Sequence, residues 1–331
     1  SISQTDSGRS NYTDKLVVIT GATYSEYESG KTCFPRSIDS YTNAFVADNP
    51  LVAATTSSSG SHGVYSAGGS ITLNSAFVAQ FSANAAGVYS SGGSITVADA
   101  FDVFVNIAEN TRTTNVLATT AVSVEENTVN SETAALTFDG DVDSRTDGLG
   151  ITARGGATIR VFGDLDMVST RGTGIYVNNG NLTLGSEKSP NTVNITTTID
   201  KDTKWGNNVT THYDGVTVEG GSLMSYGTFK VTHKGVANDA QSGSDYLNFK
   251  IKSFAVRVEQ STNADTDTKV TIQAGNIQSV VDGEGSSQTG GGGGLFVGGG
   301  TVTLGKENRK EGDDLTIIAN GNHAFNNDND V

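Results

Sequence analysis

Hydrophobic and polar residues alternate along much of this chain in a short phrase of two apolar stretches joined by a glycine-containing turn. The phrase occurs as Gly63-Val-Tyr-Ser-Ala-Gly-Gly-Ser-Ile-Thr-Leu73 and again as Gly87-Val-Tyr-Ser-Ser-Gly-Gly-Ser-Ile-Thr-Val97. Related copies span 174–184, 215–223 and 294–304, and a copy with one extra residue spans 150–161. Period-two alternation is typical of β-strands, and a recurring phrase indicates a stacked repeat architecture.

In the regular copies, the first apolar residue of one stretch lies seven positions before the first apolar residue of the next stretch, as in Val64 and Ile71 or Val88 and Ile95. The copies at 63 and 87 begin 24 residues apart, a length that suits three short strands and three turns. We therefore predict an all-β, right-handed parallel β-helix. At a strand spacing of about 4.8 Å, ten to fourteen rungs would make a rod of roughly 50–65 Å.

The domain organisation follows from where the phrase occurs. Residues 1–60 lack it and contain Pro35, Pro50 and Cys33, so we predict an N-terminal cap or first rungs. The β-helix is predicted over 61–331, with loop insertions near 186–214 and 236–250. No secretion signal is evident at the start, and we expect the chain to be a segment of a longer protein.

Composition narrows the possible partners. The net charge is -15, from 36 Asp and Glu against 21 Lys and Arg, which argues against nucleic acid and anionic lipid as ligands. A single cysteine cannot form an internal disulfide or a cysteine-based zinc site. No apolar run is long enough for a membrane helix, so we predict no membrane insertion of this segment. We also predict no cofactor.

The Gly-Val-Tyr-x-x-Gly-Gly-Ser-Ile-Thr copies, together with abundant Gly, Asn, Ser and Thr, resemble the passenger domain of a classical, monomeric type V autotransporter of a Gram-negative bacterium. The resemblance covers about 61–318. It implies an extracellular β-helix displayed at the outer membrane that acts as an adhesin in attachment, cell–cell aggregation and biofilm formation. Its implied partners are a host-cell or matrix protein or glycan, or the same protein on a neighbouring cell.

Two other functions stay open from sequence. A polysaccharide-degrading β-helix, a lyase or glycoside hydrolase, needs paired carboxylates, and the candidates are Asp139, Asp141, Asp143, Asp164 and Asp166. The run Asp139, Asp141 and Asp143 would share one face of a strand and is also a weak calcium candidate, although Ser144 and Gly150 depart from the EF-hand pattern. A passive structural stalk is the third possibility. We expect no catalytic activity.

Aromatic residues in a polar insertion are the predicted binding residues. Trp205 is the only tryptophan, and His212 and Tyr213 follow it closely. Aromatic side chains on loops of a rigid scaffold commonly anchor ligands. The four histidines show no metal-ligand spacing, and each is predicted to be a surface or turn residue.

Overall fold

A computed structural model describes residues 2–4, 9–20, 51–55, 62–80, 85–105, 119–126, 134–170, 172–198, 214–236, 254–261, 266–282, 293–306 and 314–320. The predicted all-β class is confirmed for these residues, which contain strands and turns but no helix. Among them, accordingly, no helix has the length and hydropathy needed to cross a membrane.

The strands pair in three columns, and every pairing is parallel. Column 1 contains β1 (Ile2–Gln4), β4 (Val64–Ser66), β6 (Ala86–Ser90), β9 (Thr120–Glu125), β12 (Leu149–Arg154), the start of β15 (Ile175–Leu184), the start of β17 (Val216–Val236), β18 (Phe254–Glu259) and β20 (Gly293–Val297). Column 2 contains the start of β2 (Arg9–Thr20), the start of β5 (Ser70–Gln80), β7 (Ser94–Val97), β10 (Ala135–Phe138), β13 (Thr158–Val161), the end of β15, the middle of β17, the start of β19 (Thr268–Asp282) and β21 (Thr301–Leu304). Column 3 contains β3 (Leu51–Thr55), the ends of β2 and β5, β8 (Phe101–Val105), β11 (Val142–Thr146), β14 (Leu165–Thr170), β16 (Thr192–Thr198), the ends of β17 and β19, and β22 (Leu315–Asn320).

Aliphatic side chains of each column stack on one another in register and form the core. In column 1 the buried stack is Val64, Val88, Val122, Ile151, Ile175, Val216, Val256 and Leu295. In column 2 the corresponding stack is Ile71, Ile95, Leu136, Ile159, Leu182, Leu223, Val270 and Val302. Full burial of each such side chain contributes about 1.5–3 kcal/mol, so the repeated phrase is also the main source of stability.

The glycine that opens each copy of the phrase lies against column 3. A methyl group on Gly87 would approach Cγ2 of Val103 to 2.7 Å, and one on Gly215 would approach Cγ1 of Val231 to 2.5 Å. Both distances are too short for carbon atoms. Glycine at this position therefore lets the first and third columns meet without displacing the aliphatic stack between them.

In the N-terminal region, β1, β2 and β3 pair as first rungs, one of the two predicted possibilities. They belong to the same columns as the rest of the chain, and β2 lies between β3 and β5 in column 3. One predicted boundary requires an adjustment. Within the predicted insertion 186–214, the segment Thr192–Thr198 is strand β16, paired with β14 and β17, because its apolar residues alternate inward. Residues 199–213 and 237–253, which include most of the predicted 236–250 insertion, lie outside the described residues.

The number of stacked strands is close to the expected ten to fourteen rungs. In the described part of the chain, columns 1 and 2 each contain nine strands and column 3 contains ten. Ten strands at the usual spacing span about 43 Å.

Candidate functional site

The outward positions of column 2 form a continuous polar surface, which we call the hydroxyl face. From β5 to β19 the inward residues of this column are buried, whereas the two outward rows are half-buried or exposed. On the last strand, β21, inward Val302 is half-buried and Leu304 is exposed. One row comprises Thr72, Thr96, Thr137, Arg160, Thr183, Met224, Thr271 and Thr303. The adjacent row comprises Ser70, Ser94, Ala135, Thr158, Asn181, Ser222, Lys269 and Thr301.

Hydroxyl groups dominate this face and repeat at the strand spacing of about 4.8 Å along the column. Each hydroxyl can both donate and accept a hydrogen bond, so the face offers a regular array of sites to a polar ligand. Some of these groups also bond within the surface, as the Ser222 hydroxyl does when it donates to Asn181 Oδ1 at 2.8 Å. The arrangement is suited to binding and has no nucleophile–base pair among these residues.

The hydroxyl face differs in charge from the chain as a whole. Although the chain carries a net charge of -15, neither outward row of column 2 contains Asp or Glu. Arg160 is exposed, and no described residue forms an ion pair with it. Lys269 is also exposed, and its ammonium lies 3.5 Å from the carboxylate of the equally exposed Asp267. The face is therefore neutral to basic.

Column 3 carries the opposite charge in its outward row. Asp102, Asp143 and Asp166 lie directly opposite one another on β8, β11 and β14. They line an open pocket together with Asp141, Asp164 and Asn194. Arg145 links two of these carboxylates, with Nη1 2.9 Å from Asp143 Oδ1 and Nη2 3.2 Å from Asp166 Oδ2.

The predicted strand carrying Asp139, Asp141 and Asp143 is wrong, because a turn at Gly140 separates β10 from β11. A methyl group on Gly140 would contact the Asp99 backbone, so the turn is packed tightly onto the rung below. Asp139 and Asp141 lie in this turn and only Asp143 lies in a strand. In the described part of the chain, no group of three or more His, Cys, Asp and Glu side chains has the geometry of a metal site.

Two of the pocket carboxylates hold successive turns together. Asp141 Oδ1 accepts a hydrogen bond from the Asp164 amide at 2.8 Å, and Asp164 Oδ1 accepts one from the Thr192 amide at 2.7 Å. These bonds satisfy backbone donors that the columns leave unpaired at the turns. Asp141 and Asp164 thus have a structural function that the sequence pattern did not reveal.

The outward surface of column 1 is aromatic and charged. The Tyr176 hydroxyl donates to Glu219 Oε2 at 2.8 Å, and Arg154 lies over the Tyr176 ring at 5.5 Å. Burial is the main cause that raises the pKa of Tyr176 to about 12, and the neighbouring Glu219 carboxylate adds to it. The phenol therefore stays protonated and acts as a hydrogen-bond donor.

Near the start of column 1, His62 stacks on Tyr89 with ring centroids 4.5 Å apart, and Tyr65 stacks on Tyr89 at 5.6 Å. His62 Nδ1 accepts a hydrogen bond from the Ala86 amide at 2.9 Å. Burial lowers the pKa of His62, so the imidazole is neutral at physiological pH. The three rings therefore bury part of their aromatic surface against one another.

A buried polar network links two successive rungs of column 1, and sequence reasoning missed it. Asp214 accepts hydrogen bonds from Arg257 Nε at 2.6 Å, from the Phe254 amide at 2.6 Å and from Thr217 Oγ1 at 2.9 Å. Burial raises the pKa of Asp214, and the Arg257 guanidinium opposes that shift. No signal in the sequence distinguishes Asp214 from the acidic residues of the surface.

His233 contradicts the prediction that every histidine is a surface or turn residue. Its side chain is completely buried on column 3, where Nδ1 lies 2.7 Å from Thr197 Oγ1 and Nε2 has no hydrogen-bond partner. Burial, with a smaller contribution from the Arg257 guanidinium, lowers the pKa of His233 to about 4. The alternation of β17 could have indicated its inward direction.

The predicted binding residues Trp205, His212 and Tyr213 lie outside the described residues, so their role stays a prediction. Comparisons with protein-family models, with characterised proteins and with solved structures found no match to this chain.

Proposed function

We propose that the three columns are the walls of a right-handed parallel β-helix. The chain visits columns 1, 2 and 3 in that order and then returns to column 1 on the next rung, as β6, β7, β8 and β9 do. Connections between parallel strands of one sheet are almost always right-handed, which supports this hand. The glycine contacts between columns 1 and 3 support closure of each coil.

On this architecture we propose a non-catalytic adhesin, exposed outside a Gram-negative cell as an autotransporter passenger domain. The observation that supports it best is the hydroxyl face, in which each of eight successive strands of column 2 presents at least one Ser or Thr hydroxyl group. A single neutral hydrogen bond contributes only about 0.5–1.5 kcal/mol. Attachment to a host-cell or matrix glycan or protein, or to a neighbouring cell, would therefore depend on many such bonds acting together.

Paired substitutions on two different columns test this proposal. Thr96→Glu with Thr137→Glu places two carboxylates on adjacent strands of the hydroxyl face. Thr196→Glu with Thr232→Glu places the same two carboxylates on adjacent strands of column 3, where both threonines are also half-buried and directed outward. The two double variants match in residue type, charge and position relative to each other.

Beads coated with each variant would be tested for attachment to epithelial cells, to matrix-coated surfaces and to beads carrying the same protein. We expect the column 2 variant to lose most of its attachment and the column 3 variant to retain it. Equal attachment by both variants and wild type would contradict the hydroxyl face as the adhesive surface. Absence of any attachment by wild type would favour a passive stalk.

A polysaccharide hydrolase is the second candidate, favoured by the carboxylates that line the open pocket of column 3. Inverting and retaining hydrolases both need two carboxyl groups facing one sugar. In this pocket Arg145 contacts both Asp143 and Asp166, which fits a structural ion-pair cluster better than an acid–base pair. Turnover of a polysaccharide that disappears in Asp143→Asn and Asp166→Asn variants would establish the hydrolase and overturn the adhesin.

A further inference from the structure

Two exposed cationic side chains, those of Arg160 and Lys269, lie at a defined separation on the hydroxyl face. Arg160 lies on β13 and Lys269 on β19, and between them column 2 passes through β15 and β17. Their strands are three spacings apart, or about 14 Å, and Lys269 lies two positions before the residue in register with Arg160, so the two positions are about 16 Å apart. The positions between them on the two outward rows are Asn181, Thr183, Ser222 and Met224. Most of these side chains can hydrogen-bond, and none carries a charge.

We infer that this face binds an acidic polysaccharide in which uronate carboxylates alternate with uncharged sugars. This inference rests on the proposed attachment function and names its partner. Arg160 and Lys269 would each bind one carboxylate, and the side chains between them would hydrogen-bond the hydroxyl groups of the intervening sugars. A separation of about 16 Å spans a few sugar units, so each cation meets a different carboxylate.

The negative charge of the rest of the chain favours a polymer with widely spaced carboxylates over a densely charged polyanion. Asp102, Asp143 and Asp166 lie on column 3, and the chain carries a net charge of -15. A densely charged polymer such as nucleic acid or a highly sulfated glycan would be repelled by this field. A polymer with isolated carboxylates is repelled less. At physiological salt, the acidic residues of the protein that lie more than a Debye length of about 8 Å from a bound carboxylate are screened from it.

The closest control lies on the neighbouring column. Lys230 is exposed on column 3, and its partners in register on either side are Asn194 and Asn276. Lys230→Asn therefore removes one positive charge and repeats a residue that this row already contains. Arg160→Thr does the same on the hydroxyl face, because Thr137 and Thr183 lie on either side of Arg160. Lys269→Ser likewise removes one positive charge and repeats a neighbouring residue, because Ser222 is in register with Lys269 on the adjacent strand.

Binding of the purified chain to immobilised hyaluronan, which has one carboxylate per disaccharide, would be measured by biolayer interferometry beside dextran and heparin. We expect binding to hyaluronan that weakens about three- to fivefold in Arg160→Thr and about tenfold or more in Arg160→Thr/Lys269→Ser. Lys230→Asn should bind as wild type does. Matching melting curves would show that each variant is folded.

Four results would overturn the inference: no binding to hyaluronan, binding to dextran as strong as to hyaluronan, tighter binding to heparin, or an equal loss in Lys230→Asn. Its failure can be told apart from failure of the adhesin proposal. If Thr96→Glu/Thr137→Glu abolishes attachment to cells while hyaluronan binding is absent, the face is adhesive and its partner is of another kind. If Thr96→Glu/Thr137→Glu changes neither attachment to cells nor binding to hyaluronan, both proposals fail.

Discussion

The carboxylate of Asp214 and the guanidinium of Arg257 form an ion pair of 2.6 Å, with side-chain exposures of 0% and 4%. Both side chains are thus removed from water, and among the described residues no other Asp, Glu, Lys or Arg is buried. Arg257 also lies over the rings of Phe254 and Phe296, at 4.7 Å and 5.3 Å. The pair ties the turn before β17 to β18 on the next rung.

Removing one charge of this pair should be strongly destabilising. Asp214→Asn keeps an oxygen acceptor for the Phe254 amide but leaves the Arg257 charge without its buried counterion. We expect a loss of about 3–5 kcal/mol in the free energy of unfolding, measured by urea denaturation. Asp166→Asn, which changes an exposed pair with Arg145, should cost less than about 1 kcal/mol. Similar losses in both variants would show that burial of the pair does not matter.

Stability should depend on pH through His233. Because its folded-state pKa of about 4 lies below the ordinary 6.5, the unfolded chain binds a proton on this residue before the folded chain does. The stabilising contribution is complete above about pH 6.5, falls as the pH decreases to about 4 and changes no further below that. The total effect is at most about 3 kcal/mol.

The His233→Gln variant isolates this effect from other titrating groups. The difference in unfolding free energy between wild type and His233→Gln should shrink steadily between pH 6.5 and pH 4, measured by urea denaturation at each pH. A difference that is independent of pH over this interval would contradict a neutral, buried imidazole beside Thr197 and Arg257.

Two buried serines of column 3 should respond to alanine in opposite ways. Ser144 is completely buried and its hydroxyl has no hydrogen-bond partner, so Ser144→Ala should stabilise the protein by about 1 kcal/mol. Ser169 is equally buried but donates to the carbonyl oxygens of Gly148 at 2.7 Å and Gly172 at 2.9 Å. Ser169→Ala should cost about 1–2 kcal/mol. Thermal melting of both variants measures the contrast, and a change of the same sign in both would refute it.

The glycine between columns 1 and 3 should not tolerate a side chain. Gly215→Ala would bring its methyl group within 2.5 Å of both Val231 Cγ1 and the Ala255 carbonyl oxygen. Relief of this contact requires a shift of the backbone, and we expect a loss of about 2–3 kcal/mol in urea denaturation. Ala121 occupies the corresponding position of another rung, and Ala121→Gly should cost about 1 kcal/mol or less. Unchanged stability in Gly215→Ala would mean that the two columns do not meet there.

The sequence was sufficient to predict the first two columns. The seven-residue spacing of Val64 and Ile71 recurs because the first residue lies in column 1 and the second, after the glycine turn, lies in column 2. The stretched copy at 150–161 also keeps both positions, with Ile151 and Ile159 aligned to Ile175 and Leu182. Its extra residue is absorbed by a register shift after Ala153 and the turn at Gly155 and Gly156.

The third column and the buried polar residues were beyond sequence reasoning for physical reasons. Column 3 has no glycine doublet before it, so the sequence pattern places β16 in an insertion although Val193 and Ile195 alternate inward. The position of His233 depends on Thr197, which is 36 residues away, and only the register between β16 and β17 brings the two together. The same holds for Asp214 and Arg257, which are 43 residues apart.

Cysteine cross-linking tests the parallel register of the columns most directly. In a Cys33→Ser background, Thr96→Cys with Thr137→Cys places two thiols on adjacent strands of column 2, at a spacing that a disulfide can bridge. Thr96→Cys with Arg160→Cys places them two strands apart, at about 10 Å, which is too far. After mild oxidation, mass spectrometry should detect an intramolecular disulfide in the first variant and free thiols in the second. A disulfide in the second variant, or none in the first, would contradict the stacked columns on which the whole account depends.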